Sequence, residues 1–91
     1  MNNDKQIFLD AIAQLQQDQR FLEKKKKLAL SDKRKPKMTM IDHHYLQLLP
    51  SLIYNFEMIV EEIEDGNEIF ETDIMIAEAV NKMNNKKQDS E

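Results

Sequence analysis

The sequence contains no cysteine and no tryptophan, and only one glycine and two prolines in 91 residues. Without cysteine the chain can form no disulfide framework, no thiolate zinc site and no cysteine nucleophile, so we expect a reducing compartment, the cytoplasm. The scarcity of Gly and Pro disfavours a turn-rich β architecture. Abundant Lys, Glu, Gln, Leu, Ile and Met instead predict an all-α fold.

Long apolar runs are also missing. No uninterrupted apolar stretch approaches the roughly 18 residues that mark a transmembrane helix, so we expect no membrane contact. The first residues, Met1 to Gln6, lack the basic start and apolar run of a signal peptide.

A chain of this length has room for one domain with a small core, which rarely contributes more than about 3–5 kcal/mol to the stability of the fold. Because a second subunit would add to that stability, we expect an oligomer, most simply a homodimer.

Charge is divided unevenly along the chain. Residues 1–40 hold ten basic and five acidic side chains, whereas residues 41–91 hold three basic and twelve acidic ones. The net charge of −4 therefore conceals a first part at +5 and a second part at −9. Such asymmetry can steer a charged partner or let two copies pair head to tail.

Apolar spacing predicts a first helix at about residues 4–29, followed by a basic linker at about 31–38 that contains Pro36. Thr39 and Asp42 have the spacing of a capping box and predict the start of a second helix. That helix carries the strongest apolar pattern in the chain, with alternating spacings of four and three: Tyr45, Leu49, Leu52, Phe56, Ile59 and Ile63. Pro50 interrupts it, which predicts either one kinked helix or a short helix at about 40–48 followed by a longer one.

The second helical region is predicted to end at Asp65-Gly66-Asn67, since Gly66 suits the left-handed position after a helix. A third apolar face runs from Ile69 to Met83, with Thr72 as a candidate N-cap. The short link predicts an antiparallel helical hairpin. We therefore expect a small three- to four-helix bundle built on that hairpin, one helical domain over residues 1–83 and a disordered polar tail over 84–91.

A basic cluster gathers eight of the thirteen basic residues into fourteen positions. It consists of Lys24, Lys25, Lys26, Lys27, Lys33, Arg34, Lys35 and Lys37. These side chains could neutralise phosphates and bind nucleic acid without reading bases. The same charges could face an acidic protein, or could be a solvated helix end, and charge alone does not choose among the three.

The acidic half offers a candidate surface for a protein partner. Tyr54 and Met58 lie four residues apart, off the main apolar row, so a helix would leave both exposed on one side. Tyr and Met are common at interfaces. Glu57, Glu61 and Glu62 accompany them and could face a basic partner, although a solvated helix face is the simpler explanation of these carboxylates.

Metal and catalytic patterns are weak or missing. Asp42-His43-His44 is the only cluster of metal-ligand side chains, but adjacent histidines point in different directions on a helix, whereas helical two-histidine sites use a spacing of four. No Gly-rich phosphate loop or nucleophile elbow occurs in the sequence. We therefore expect a protein that is not an enzyme and has no catalytic residue, metal site or cofactor.

In size, acidity and helical pattern the chain resembles many small phage, plasmid and mobile-element regulators, immunity proteins and antitoxins. No diagnostic motif carries this resemblance. The residues themselves favour a non-enzymatic helical interaction protein that regulates or inhibits a protein target by stoichiometric binding. The alternative is a small nucleic-acid-binding regulator that uses the basic segment 24–37.

Overall fold

A computed structural model describes residues 4–31 and 37–89, with side chains as far as Met83. These residues form three helices, α1 (Asp4–Ser31), α2 (Met40–Glu64) and α3 (Glu71–Asp89). No strand occurs in this part of the chain, and the predicted all-α fold is confirmed. None of the described helices has an apolar stretch long enough to cross a lipid bilayer.

α1 follows the predicted helix closely and ends two residues later than expected, at Ser31. Its buried side chains repeat at spacings of three, four and seven, which places them on one narrow stripe: Phe8, Ala11, Ile12, Leu15 and Leu22. Most of the predicted basic linker, residues 32–36, lies outside the described residues.

α2 begins with the predicted capping box. The Thr39 hydroxyl accepts a hydrogen bond from the Asp42 N–H at 3.0 Å, and the Asp42 carboxylate accepts one from the Thr39 N–H at 3.2 Å. These bonds satisfy backbone donors that the first turn of a helix leaves without partners. α2 then continues through Pro50 as one helix to Glu64. Of the two predicted arrangements, the structure has the uninterrupted helix and not the pair of helices.

α2 ends in a Schellman motif. The N–H of Gly66 donates to the carbonyl of Ile63 at 3.0 Å, and the N–H of Asn67 donates to the carbonyl of Glu62 at 2.9 Å. Gly66 has a φ of 83°, the left-handed conformation that a side chain would strain. The predicted helix stop is therefore confirmed at the level of individual hydrogen bonds.

α3 differs from its prediction at both ends. Thr72 is not the N-cap, because the helix starts at Glu71 and includes Thr72 in its first turn. At the other end, the helical backbone continues to Asp89, past the residue where the sequence predicts a disordered tail. Adding residues to an existing helix fixes one residue for each hydrogen bond gained, so a helix can extend without an apolar face.

The order of packing differs from the predicted hairpin. α1 and α2 lie antiparallel, as shown by the pairing of Lys5 with Glu64 at one end and of Lys25 with Asp42 at the other. α3 also packs on α1, whereas no described Cα of α3 lies within 8 Å of a Cα of α2. α1 is therefore the shared helix, and the hairpin of α2 and α3 is connected in sequence but not in direct helix contact.

The core lies along the stripe of α1. α2 contributes Leu49, Ile53, Phe56 and Val60 to it, whereas the buried side chain from α3 is Ala77. At its centre the rings of Phe8 and Phe56 meet edge to face, with centroids 5.4 Å apart and an angle of 69°. This geometry is favourable for aromatic pairs. The same α1 side chains can face both neighbours, which is why α2 and α3 need not meet.

The molecule is long and thin, with extents of 50 × 27 × 16 Å. Its radius of gyration is 15.4 Å, whereas a compact chain of this length would have about 12 Å. A thickness of 16 Å corresponds to no more than two layers of helix, so few side chains can be enclosed on all sides. Much apolar surface consequently remains at the outside.

Candidate functional site: an apolar groove between α2 and α3

An open groove lies where α2 and α3 diverge over α1. Its volume is about 400 Å³. The floor is formed by Leu15 and Asp18 of α1, and side chains of the two other helices form the walls: Ile41, Asp42, Tyr45 and Leu52 from α2, and Val80 and Met83 from α3. The groove is thus an apolar cleft with two carboxylates on its floor and wall.

A hydrogen bond between α1 and α2 crosses this groove. The Tyr45 hydroxyl donates to the Asp18 carboxylate at 2.8 Å. Burial raises the pKa of Tyr45, and the hydrogen bond to Asp18 and the negative charge of Asp18 raise that pKa further. Tyr45 therefore stays protonated and remains a donor throughout the physiological range. Asp18, which interrupts the apolar stripe of α1, is the acceptor of this bond.

Asp42 fixes the end of the groove. Its carboxylate forms an ion pair with Lys25 at 2.9 Å, and both side chains are partly buried. The hydrogen bond from Lys25 and the one from the Thr39 N–H hold the pKa of Asp42 below its usual range. The same carboxylate therefore caps α2 and ties α2 to α1.

Large apolar side chains surround the groove and remain accessible. Met83 is 65% exposed at one wall, and Ile41 is 79% exposed at the other. Others are exposed elsewhere on the described surface: Leu9, Phe21, Leu28, Leu30, Met40, Leu48, Tyr54, Met58, Phe70, Met75 and Ile76. Against a core of ten buried apolar residues, this is a large apolar surface for so small a chain.

The structure places the predicted partner surface outside the groove. Tyr54 is 61% exposed and Met58 43% exposed, as the spacing of four predicts. Glu57, Glu61 and Glu62 are exposed on the same helix. These five residues share the half of α2 that is remote from Ile41, and none of them lines the groove. Whether they bind a partner stays a prediction.

The basic cluster does not form one continuous patch on α1. Lys24, Lys26 and Lys27 are exposed. Lys24 and Lys27 are three residues apart and share one side of the helix, whereas Lys26 points away from Lys24. Lys25 is engaged by Asp42. Lys37 is exposed, and the remaining three members, Lys33, Arg34 and Lys35, lie outside the described residues.

The Asp42-His43-His44 cluster has no metal-site geometry. His43 and His44 are exposed, and Asp42 is engaged by Lys25 and the α2 cap. Within the described residues, no group of three or more His, Cys, Asp or Glu side chains could hold a metal ion.

Sequence reasoning missed the groove itself, because the short link predicted that α2 and α3 pack against each other as a hairpin. One signal was available. Asp18 is the break in the apolar stripe of α1, and Tyr45 begins the apolar row of α2. A carboxylate within an apolar stripe and an aromatic hydroxyl on the neighbouring antiparallel helix can form a hydrogen bond. Predicting which two residues pair, however, requires the register of the two helices.

Comparison with known proteins identifies no relative. No protein-family model, no curated protein sequence and no solved structure matches the chain. The groove and its surroundings are therefore the basis for inference about function.

Proposed function

We propose that this chain is a non-enzymatic, cytoplasmic interaction protein that regulates or inhibits a protein target by stoichiometric binding. The observation that carries the proposal is the open apolar groove between α2 and α3. Typical binding sites are grooves that are lined by apolar side chains and hold a few polar groups. Such grooves bury much of the surface of the ligand. Acting in the manner of small phage or plasmid regulators, the protein would cover a surface of its target.

The dimensions of the groove suit an amphipathic helix. The wall on α2 extends from Ile41 to Leu52, which at about 1.5 Å per residue is roughly 16 Å. A target helix of three turns has that length, and its apolar residues at positions i, i+3 or i+4 and i+7 would lie along the groove. Helix-in-groove recognition therefore fits the site better than an extended peptide, because no sheet edge is present among the described residues.

The negative charges of the groove would also orient the bound target helix. Asp18 lies on the floor of the groove and Asp42 on its α2 wall, and each carboxylate has acceptor positions beyond those used by Tyr45, Lys25 and the Thr39 N–H. A Lys or Arg beside the apolar face of the target helix would gain from this negative charge. We therefore expect a target helix with a basic residue at one edge.

Two methionines of α3 provide a matched test. Met83 lines the groove and is 65% exposed, whereas Met75 is 63% exposed and lies away from it. We expect affinity-tagged wild-type protein to co-purify one target at a fixed molar ratio from its native cells. Met83→Glu should lose that target, because it places a charge in the apolar cleft. Met75→Glu should retain it.

Equal recovery of the target by both variants would show that the groove is not the binding site. If the wild-type protein co-purifies nothing at a fixed ratio, the stoichiometric function is wrong. Circular dichroism should give the same helix content for all three proteins, since both methionines are exposed.

Nucleic-acid binding through residues 24–37 stays the alternative prediction. The exposed Lys24, Lys26, Lys27 and Lys37 are compatible with phosphate contacts. Such binding would be strongest at low salt and would fall steeply as salt is added. Absence of binding to generic duplex DNA at low ionic strength would remove this alternative.

A further inference from the structure

We propose that Asn81 weakens the contact between α1 and α3, so that α3 opens away from α1 in the free protein while the α1–α2 pair stays closed. The use of this movement rests on the proposed function, because Val80 and Met83 make α3 one wall of the groove. A wall that opens lets the groove admit target helices of different widths. Asn81 thereby regulates access to the proposed binding site.

Asn81 lies on the side of α3 that faces α1. Ile74, Ala77 and Asn81 follow one another at spacings of three and four, which places them on one face of the helix. Ala77 is fully buried on this face, and Ile74 packs against the same core. An apolar side chain at position 81 would continue the row. The sequence instead has an amide at the end of the contact.

The hydrogen-bonding capacity of the Asn81 amide is only partly used. Its Nδ2 donates to the Ile7 carbonyl at 3.2 Å. Its Oδ1 is buried and accepts no hydrogen bond from any described residue. Rotating the amide by half a turn would not help, because it would set Oδ1 against the carbonyl oxygen of Ile7. Closing α3 therefore removes Oδ1 from water without supplying another donor, which disfavours the closed state.

The bond from Asn81 to Ile7 does little to offset this cost. Ile7 lies in the first turns of α1, where its carbonyl also accepts the helical hydrogen bond from the N–H four residues later. The bond from Asn81 is a second bond to the same oxygen. Water can replace it when α3 opens, so the bond gives the closed state only a small advantage.

Apolar burial also holds α3 weakly. Ala77, a small side chain, is the one residue of α3 that is fully buried in the described part of the chain. The much larger Met75 and Met83 are 63% and 65% exposed. Segments with few buried apolar contacts open at a low free energy. The α1–α2 pair, which buries Phe8 and Phe56, stays closed when α3 opens.

Opening of α3 at Asn81 also moves the wall of the groove. Val80 and Met83 lie within one helical turn of Asn81, so the three side chains move together. A target helix that needs a wider groove binds the open form more tightly and shifts the equilibrium towards it. The buried acceptor of Asn81 thus lowers the free energy that a wide target helix must supply.

The absence of cysteine makes the opening of α3 measurable. Ala77→Cys introduces a single thiol at a fully buried position, which a thiol reagent reaches when α3 opens. Adding Asn81→Leu should slow the labelling by about tenfold or more, because leucine continues the apolar row and removes the buried acceptor. Adding Ala79→Leu, at an exposed residue of α3, should leave the rate unchanged. An equal or faster rate with Asn81→Leu would overturn the proposal.

A second thiol tests whether α3 opens on its own. Val60 is 8% exposed and belongs to the part of the core that α2 contributes. Val60→Cys should be labelled more slowly than Ala77→Cys by about tenfold or more, since local opening of α3 leaves the α1–α2 pair closed. Equal labelling rates for the two thiols would show that α3 opens only with the whole molecule, which contradicts the proposal.

Amide hydrogen exchange gives a test without cysteine. Asn81→Leu should raise the protection of residues 71–83. Asn81→Ala removes the buried acceptor without adding bulk, and it should leave that protection at least as high as in the wild-type protein. Lower protection in Asn81→Ala would show that the bond to Ile7 holds α3 in place, and the proposal would be wrong. These measurements use the protein without a target, so they are independent of the result for Met83→Glu.

Discussion

α2 and α3 pack on the same helix, but α1 holds them very differently. α2 contributes four buried apolar side chains, an aromatic pair, the Tyr45 hydrogen bond and two ion pairs. α3 contributes one buried apolar side chain, Ala77, and a hydrogen bond from the Asn81 side chain to the Ile7 carbonyl at 3.2 Å. Burial of large apolar side chains is the main source of stability. The α1–α2 pair is therefore the stable unit, and α3 is the more loosely held element.

This difference bears on function. Elements that open locally at low free energy have few buried apolar contacts and many exposed side chains, as α3 does. The groove has its rigid wall on α2 and its adjustable wall on α3. A ligand that enters the groove would add apolar contacts to α3, which has fewer buried apolar contacts than α2.

The largest expected effect comes from the α1–α2 pair. Phe56→Ala removes a ring that is 3% exposed and packs on Phe8, and it should lower the free energy of unfolding by about 3–5 kcal/mol. Phe21→Ala removes the same side chain from a residue that is 65% exposed and should change it by less than about 0.5 kcal/mol. Urea denaturation followed by circular dichroism measures both. Similar losses for the two variants would contradict the packing described for α1 and α2.

An intermediate effect is expected from α3. Ala77 is fully buried, so Ala77→Asp forces a carboxylate into the contact with α1 and should release α3 while α1 and α2 stay paired. Amide hydrogen exchange should then lose protection across residues 71–83 and keep it at residues 49–60. Ala79→Asp, at an exposed residue of the same helix, is the control. Loss of protection throughout the chain would show that α3 is not a separate unit.

The smallest effect concerns the ion pair at the start of α2. Because Lys25 holds the pKa of Asp42 below its usual range, Lys25→Met should raise that pKa toward an ordinary aspartate value of about 3.9. The contribution of Asp42 to stability is complete above that ordinary value and is lost as the pH falls through its lowered pKa. NMR titration of the Asp42 carboxyl measures the change. An unchanged pKa in Lys25→Met would show that the ion pair does not form in solution.

Several local features of the fold could be predicted from the sequence because they depend on neighbouring residues. The capping box at Thr39 and Asp42 and the glycine stop at Gly66 involve bonds within a few residues, and both were confirmed. The α1 stripe was predicted for the same reason. Pro50 left two arrangements open, since a proline removes one backbone donor but does not decide whether the remaining bonds hold the helix together.

The packing order could not be predicted in the same way. α2 and α3 each carry an apolar row, and the short link favours contact between the two rows, but both rows pack on the apolar stripe of α1 instead. Choosing between these contacts requires comparing burial across the whole molecule. The groove, the bond from Tyr45 to Asp18 and the ion pair of Lys25 with Asp42 all follow from that choice. Local sequence patterns therefore could not predict these features.

The Schellman motif at Gly66 has a consequence for how such a molecule could diversify. It ends α2 cleanly and begins the link from Asp65 to Phe70, and this link, together with the packing of Ala77 on α1, sets how far α3 stands from α2. Lengthening or shortening the link would widen or narrow the cleft while the α1–α2 core stays intact. Ligand preference could thus be retuned by insertion and deletion in the link, and Ala77 is the buried side chain that would have to repack.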